Sequence, residues 1–191
     1  IMPTGAGKSI CYQIPALIFS GVTIVISPLI SLMKDQVDAL NEVGIPATFI
    51  NSTLSNSEYS QTIENIVNNV YKIIYVAPER LNSDTFINLL NTIDISMISI
   101  DEAHCVSQWG HDFRPSYREI ANLILNLKKR PIVSAFTATA TQIVKDDIIN
   151  LLHLSNPFTL TTGFDRANLN FSLEIPENKN DFIINFLKNN S

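Results

Sequence analysis

The first segment of the chain that could do chemistry is a glycine-containing loop with a lysine and a serine at its end. It runs from Met2 to Ser9 with the sequence MPTGAGKS and precedes an apolar helical pattern from Ile10 to Phe19. Backbone amides at the start of a helix attract anionic oxygens, Lys8 adds a positive charge, and Ser9 adds a hydroxyl ligand for Mg²⁺. The spacing predicts a phosphate-binding loop whose nucleotide-contacting residues are Thr4, Gly5, Ala6, Gly7, Lys8 and Ser9.

This loop departs at one position from the usual pattern G-x-x-x-x-G-K-[ST], known as Walker A, because Met2 stands where the pattern has glycine. Gly5 and Gly7 keep the positions where a side chain would obstruct the approach of a phosphate to the backbone. Taken alone, the segment is also compatible with an ordinary turn before a helix. A matching pair of acids later in the chain favours the phosphate-binding interpretation.

That acidic pair follows the apolar run Met97 to Ile100 in the sequence Asp101-Glu102-Ala103-His104. An aspartate at the end of a buried strand can hold Mg²⁺ together with Ser9, and Glu102 can orient or deprotonate an attacking water. The two acids alone could equally stabilise a helix N-terminus through the helix dipole. Combined with the loop, they predict hydrolysis of Mg·ATP by the catalytic residues Lys8, Asp101 and Glu102.

A third group of small polar residues, Thr137 to Thr141, follows the apolar run Ile132 to Phe136. Hydroxyls at this place can connect the nucleotide acids to a surface that binds a nucleic-acid strand. They can also cap the following helix, and Thr139 or Thr141 is expected to do both.

These groups require a scaffold, and the apolar pattern of the chain predicts one. Continuous runs rich in Val and Ile are typical of strands buried on both faces, and they alternate with segments of helical periodicity. The runs are Val22 to Ile26, Ala47 to Ile50, Ile73 to Val76, Met97 to Ile100 and Ile132 to Phe136. The helical segments are Leu29 to Leu40, Ser57 to Asn68, Thr85 to Leu90, Ser116 to Leu127 and Thr141 to Leu152. The alternation predicts an α/β domain with a mostly parallel sheet, and the motifs lie where its strands end. Together with the phosphate-binding loop, this predicts a three-layer P-loop NTPase domain.

Composition limits the other possibilities. The chain has 191 residues, 46% of them hydrophobic, and its apolar runs are far shorter than the roughly 20 residues of a membrane helix. We expect no membrane partner, and a cytoplasmic or nuclear protein that is not secreted. The net charge of −5 argues against nucleic acid, although backbone amides, hydroxyls and aromatic rings can also grip a strand. Cys11 and Cys105 lack zinc-ligand spacing, so no zinc site is predicted, and both are expected to be buried.

Three further stretches resemble the RecQ family of DEAH-type DNA helicases. Ser27 to Gln36 and Tyr75 to Leu81 are similar to its motifs Ia and Ib. Cys105 to Tyr117, with the sequence CVSQWGHDFRPSY, is similar to its aromatic-rich loop. The resemblance extends through Phe164 to Leu169, where Ala167 replaces a common proline. It implies the first RecA-like lobe of a 3′ to 5′ DNA-unwinding motor that acts on single-stranded and forked DNA in repair and recombination.

The aromatic-rich loop is also chemically suited to sensing a strand. Trp109 and Phe113 can stack on unpaired bases and Arg114 can meet a phosphate or a base face. A solitary Trp or Phe is more often a core residue, and that alternative stays open here. The predicted nucleic-acid and coupling residues are Gln108, Trp109, His111, Phe113, Arg114, Thr137 and Thr139.

The pattern of elements loosens after Leu154, which predicts an ATP-binding lobe over residues 1–155 and a connector leading into a second lobe over 156–191. We expect the natural polypeptide to extend in both directions. Because this chain lacks a strand before Met2, we expect it to expose an apolar sheet surface near Ile1. The resemblance implies a second lobe with an arginine finger, followed by zinc-binding and winged-helix regions. The isolated chain is expected to be essentially inactive. Two alternatives are a DEAH-type RNA helicase and a regulatory ATP-binding module that unwinds nothing.

Overall fold

The computed structural model describes residues 1–163 and 172–189 and contains one parallel sheet with flanking helices. The strands are β1 Val22–Ile26, β2 Ala47–Ile50, β3 Ile73–Val76, β4 Ile95–Ile100 and β5 Ile132–Ala135. The helices are α1 Lys8–Ile18, α2 Ile30–Glu42, α3 Asn56–Val67, α4 Asp84–Leu90, α5 Glu119–Asn126, α6 Gln142–Leu151 and α7 Lys179–Asn189. Short 3₁₀ turns cover Pro78–Arg80, Ala103–Val106 and Pro115–Arg118. In the part of the chain that the structure describes, no helix combines the length and apolarity needed to cross a bilayer.

The strand order is β2-β3-β1-β4-β5, and every neighbouring pair is parallel. Ile26 at the end of β1 lies beside Val76 of β3 and Ile100 of β4, and Ile100 lies beside Ala135 of β5. The carboxyl ends of the strands therefore meet at one edge of the sheet, which is where the motifs follow. The predicted α/β class with a mostly parallel sheet is confirmed.

The sheet is sandwiched between two helical layers. Alternate residues of β1 point to opposite faces of the sheet. Ile24 belongs to the core formed with helices α3 to α6, and Val25 belongs to the core formed with helices α1 and α2. Both side chains are fully buried, and burial of each contributes roughly 1.5–3 kcal/mol. Continuous apolar strands thus reflect burial on both faces, as the sequence predicted for β1 and β3.

The edge strand β5 is the exception, because Ile132 is 54% exposed and the rest of the strand is only half-buried. Beside it lies an apolar cavity of about 510 Å³ whose walls include Ile1, Val133, Phe136 and Phe158. The expected exposed apolar surface near Ile1 is present along this edge.

Two helical features differ from the prediction. Ser116 to Leu127 divides into the 3₁₀ turn Pro115–Arg118 and the shorter helix α5. Helix α7 was not predicted at all, and none of its side chains is buried, so no packing pattern marked it in the sequence. The expected junction at Phe164 to Leu169 lies outside the described residues, and the division at residue 155 stays a prediction.

Candidate active site

The phosphate loop adopts the backbone conformation that its glycines allow. Gly5 and Gly7 have φ values of 81° and 80°, a left-handed region that side-chain-bearing residues rarely adopt. A Cβ at either position would have no other atom within 4 Å, so backbone conformation, not crowding within the protein, requires glycine here. Gly7 caps α1 without a side-chain hydrogen bond, which leaves the start of the helix open towards an anion.

Lys8 folds back over the loop. Its ammonium donates to the carbonyl oxygens of Met2 and Pro3 at 3.3 and 3.4 Å. The amide of Met2 in turn donates to the carbonyl of Thr137 at 3.0 Å, which joins the loop to the segment after β5. The loop and the third motif of the sequence are thus held side by side.

The acidic pair is fixed by main-chain contacts at the end of β4. The Asp101 amide donates to Ile26 at 2.8 Å, and the buried Tyr117 hydroxyl donates to the Asp101 carbonyl at 2.9 Å. Glu102 takes a left-handed conformation with φ 47°, which is unusual for a residue with a side chain. This backbone turn directs two adjacent carboxylates to different surroundings.

The two carboxylates are shifted in opposite directions. Burial, reinforced by the charge of Glu102, raises the pKa of Asp101. A hydrogen bond from His104, with added electrostatic attraction from His104 and Lys8, lowers the pKa of Glu102. Glu102 is therefore ionised at neutral pH, and Asp101 is a buried acid whose charged form a cation would stabilise.

Loop and acids line one cavity of about 680 Å³. Among the predicted residues its walls include Thr4, Gly5, Gly7, Lys8, Ser9, Asp101 and Glu102, whereas Ala6 is not part of them. The hydroxyl of Ser9 and the carboxylate of Asp101 are hard oxygen donors of the type that Mg²⁺ prefers. With a buried acid that favours a cation, this donor set fits Mg²⁺ beside a nucleotide phosphate.

His104 connects this cavity to the threonine motif, and the sequence prediction did not include it. Its Nδ1 lies 2.8 Å from the Thr137 hydroxyl and 3.2 Å from a carboxylate oxygen of Glu102. Thr137 donates its own hydroxyl proton to the Thr139 carbonyl at 3.0 Å, so it accepts from His104, and Nδ1 carries the proton. A histidine two positions after the acid pair, beyond Ala103, was the only sequence signal of this role.

The aromatic-rich loop projects from this network. Trp109 is 74% exposed, which removes the alternative that it belongs to the core. Its amide donates to the Ser107 hydroxyl at 3.1 Å, and that hydroxyl donates to Asp147 of α6 at 2.6 Å. The Arg114 amide closes the loop by donating to the Cys105 carbonyl. The loop is tethered at both ends while its indole faces solvent.

The remaining predicted loop residues do not share one role. His111 stacks on His104 with ring centroids 4.0 Å apart, and its Nδ1 lies 3.4 Å from the Thr139 hydroxyl. Arg114 forms an ion pair with Asp112 at 2.9 Å. Phe113 lies under the Arg118 guanidinium and is half-buried, whereas Gln108 is exposed.

Two minor expectations are resolved by the same contacts. Thr141 caps α6 by accepting from Val144, whereas Thr139 faces His111 instead, so the two threonines divide the expected roles. Cys105 is buried as expected, but the prediction for Cys11 was wrong because this residue is exposed. Helix α1 buries only Tyr12 and Ala16, which leaves Cys11 beside Met2 on its open side.

The chain is similar to known helicases. A family model described as DEAD/DEAH box helicase matches residues 1–147. The ATP-dependent DNA helicase RecQ of Bacillus subtilis is 57% identical over 190 residues, which cover 100% of this chain and 32% of that protein. The helicase wrn-1 of Caenorhabditis elegans is 46% identical over 179 residues, covering 91% of this chain and 16% of that protein. The chain thus spans about a third or less of the length of these relatives.

Solved structures agree on the fold. The Hef helicase domain of Pyrococcus furiosus has a TM-score of 0.61 and 23% identity, covering 80% of this chain and 32% of that one. The DUF1998 helicase MrfA bound to DNA has a TM-score of 0.63 and 21% identity, covering 80% of this chain and 23% of that one. These likenesses confirm the RecA-like fold that the sequence predicted.

Proposed function

Because the chain belongs to the DEAD/DEAH box helicase family and resembles its RecQ members, we propose that it is the ATP-hydrolysing lobe of a DNA helicase. The observation that carries the proposal is one continuous path of contacts. Lys8 and Ser9 share a cavity with Asp101 and Glu102, and His104 links that cavity to the loop that exposes Trp109. A nucleotide site and a surface suited to stacking are therefore mechanically connected.

In this proposal each polar group of the cavity has one task. Lys8 releases its contacts with the loop carbonyls and binds the β- and γ-phosphates as a point charge. Ser9 and Asp101 would hold Mg²⁺, which would supply positive charge next to the phosphates. Glu102, ionised and hydrogen-bonded to His104, orients the attacking water and accepts its proton.

Coupling to the strand runs through His104. Loss of the γ-phosphate changes the charge next to Glu102, and the Glu102–His104–Thr137 contacts pass that change to Thr139 and to the stacked ring of His111. Movement of His111 alters the loop that holds Trp109. Stacking of a base on this indole is worth about 1–3 kcal/mol, enough to bias the loop between two positions.

We infer a DNA substrate, single-stranded or forked, because the relatives at high identity are named DNA helicases. Such a substrate implies a compartment that contains DNA, the cytoplasm or the nucleus. A second RecA-like lobe and further C-terminal domains would complete the motor, and an arginine supplied by that lobe would raise turnover by roughly 10³ to 10⁵. DNA repair and recombination are the processes that this activity fits.

The test is the rate of ATP turnover by the complete protein with single-stranded DNA, with RNA of the same sequence, or with neither. The proposal expects strong stimulation by DNA, together with unwinding of a forked duplex. Stimulation by RNA alone would favour the RNA helicase, and equal turnover in all three conditions would favour the regulatory module. Either of those outcomes would overturn the proposed function.

A further inference from the structure

Three potential metal ligands meet on the inner side of the aromatic-rich loop. The Cys105 sulfur lies 3.8 Å from Nε2 of His104 and 3.9 Å from a carboxylate oxygen of Asp112. The nitrogen, sulfur and oxygen atoms all lie within 4.8 Å of one another. A Zn²⁺ ion with usual bond lengths of about 2.0–2.3 Å would fit between them once the three ligand atoms move closer together.

The imidazole of His104 is already oriented as a ligand. Its Nδ1–H faces the Thr137 hydroxyl and the Glu102 carboxylate, so the lone pair lies on Nε2, the atom next to Cys105. Ligating histidines in proteins almost always donate their other N–H to a carboxylate, carbonyl or water in this manner. The outer contacts of a metal site are therefore present around His104.

The other two ligands are held as firmly. Cys105 is completely buried, and the guanidinium of Arg114 fixes Asp112 through two hydrogen bonds of 2.9 and 3.1 Å. Both bonds end on Oδ2, the oxygen that also faces the Cys105 sulfur, so Asp112 binds a metal through its other oxygen or after Arg114 releases one of the two bonds. Asp112 itself is exposed and gives an ion a route of entry.

We propose that His104, Cys105 and Asp112 form a binding site for a divalent transition-metal ion of the Zn²⁺ class. Thiolate and imidazole donors select Zn²⁺ over Mg²⁺, and three protein ligands leave a fourth, solvent-facing position. The ion replaces the thiol proton, which passes to the solvent as the metal–sulfur bond forms. Burial, with the nearby charge of Asp112, raises the pKa of the Cys105 thiol to about 12, so this proton is present until the metal arrives.

This site goes beyond the proposed function, and its occupancy has a mechanical consequence. An ion at this place joins His104, a member of the nucleotide network, to Asp112 of the loop that carries Trp109. The loop can then no longer move relative to the acid pair. The spacing of Cys11 and Cys105 gave no sign of such a site because its three ligands come from a 3₁₀ turn and the loop that folds back over it.

The experiment is a titration of the reduced 191-residue chain with Co²⁺, whose bond to a thiolate produces an intense charge-transfer absorption that Zn²⁺ then abolishes. Cys11→Ser is the matched control, since it removes the other, exposed cysteine. We expect the wild type and Cys11→Ser to show the same band and Cys105→Ala to lack it. Asp112→Ala is expected to weaken Co²⁺ binding at least about tenfold, and Thr137→Val about 10- to 100-fold.

Circular dichroism and thermal unfolding establish whether each variant is folded. If Cys105→Ala does not fold, Asp112→Ala still tests the site, because Asp112 is exposed and its replacement should not disturb the fold. A missing thiolate band in the folded wild type would overturn the proposal. So would a band that is lost in Cys11→Ser, or unchanged affinity in folded Asp112→Ala. None of these readouts depends on ATP or DNA, so the metal site and the helicase function can fail separately.

Discussion

Replacement of Trp109 by alanine separates the role of the indole in strand binding from a role in the fold. The side chain is 74% exposed, and its loop is held by backbone and Ser107 contacts that the substitution does not touch. We therefore expect Trp109→Ala to retain its structure and nucleotide binding while it loses stimulation by DNA.

An exposed tryptophan and a core tryptophan would lose different amounts of folding free energy on replacement by alanine. About a quarter of a tryptophan surface of roughly 250 Å² is buried, which at about 25 cal/mol per Å² amounts to about 1.6 kcal/mol of folding free energy at most. A core aromatic residue would cost about 3–5 kcal/mol. Loss of one stacked base costs about 1–3 kcal/mol, which corresponds to an affinity for single-stranded DNA about 5- to 140-fold weaker.

The assay measures the DNA concentration that half-maximally stimulates ATP turnover in the complete protein, together with basal turnover and the melting temperature. A destabilisation of up to 1.6 kcal/mol lowers the melting temperature of a chain of this size by no more than about 3–6 °C. Trp109→Phe preserves a stacking ring and should recover most of the stimulation. Phe158→Ala removes another exposed aromatic ring, 90% exposed and outside this loop, and should change neither stimulation nor basal turnover.

The reasoning is refuted if Trp109→Ala melts as a core variant would, with nucleotide binding lost in parallel. It also fails if stimulation by DNA is unchanged, or if Phe158→Ala weakens stimulation as much as Trp109→Ala does.

Three further substitutions test separate parts of the structure. His104→Ala removes the main cause of the lowered pKa of Glu102, so that pKa should rise. The acidic limb of the kcat–pH profile should therefore move to higher pH. An unchanged acidic limb would contradict the contact between His104 and Glu102. Gly110→Ala places a Cβ 2.3 Å from the His104 carbonyl oxygen, so it should lower the free energy of unfolding by about 1–3 kcal/mol. It should also impair DNA stimulation more than basal turnover. A variant with the stability and DNA stimulation of the wild type would show that the loop is not packed against His104. Ser55→Ala removes a capping box at α3 and should lower the free energy of unfolding by about 0.5–2 kcal/mol in denaturant titrations, with nucleotide affinity unchanged; a change in that affinity would argue against a purely structural cap.

The strands were predictable because burial on both faces leaves a direct mark on the sequence. Val22 to Ile26 and Ile73 to Val76 are continuous apolar runs, and both are central strands of the sheet. The same reasoning predicted a buried strand at Ile132, but this residue is 54% exposed. An apolar run does not reveal whether its strand has a neighbouring strand on both sides. Helix α7 has no buried face, so it lacked the contacts that make a helix recognisable.

For the candidate site, residue type and order along the chain predicted which residues belong to the site, but not which side chains contact each other. Lys8 and Asp101 belong to two motifs that together are typical of nucleotide hydrolysis, and both residues line one cavity. The contact between Ser107 and Asp147 spans 40 positions in the chain and depends on how α6 packs, which no local pattern encodes. Cys11 shows the converse error, because the apolar character of a thiol does not determine which side of a helix faces the core.

The most direct test compares Lys8→Ala and Glu102→Gln in the complete protein for Mg·ATP affinity and for turnover under DNA-saturated conditions. If both residues act in one hydrolysis site with the roles assigned, Lys8→Ala loses affinity and turnover together. Glu102→Gln then keeps affinity near that of the wild type and loses turnover. Equal loss of ATP affinity in both variants, or normal turnover by Glu102→Gln, would contradict the central claim that the loop and the acid pair form one ATP-hydrolysing site.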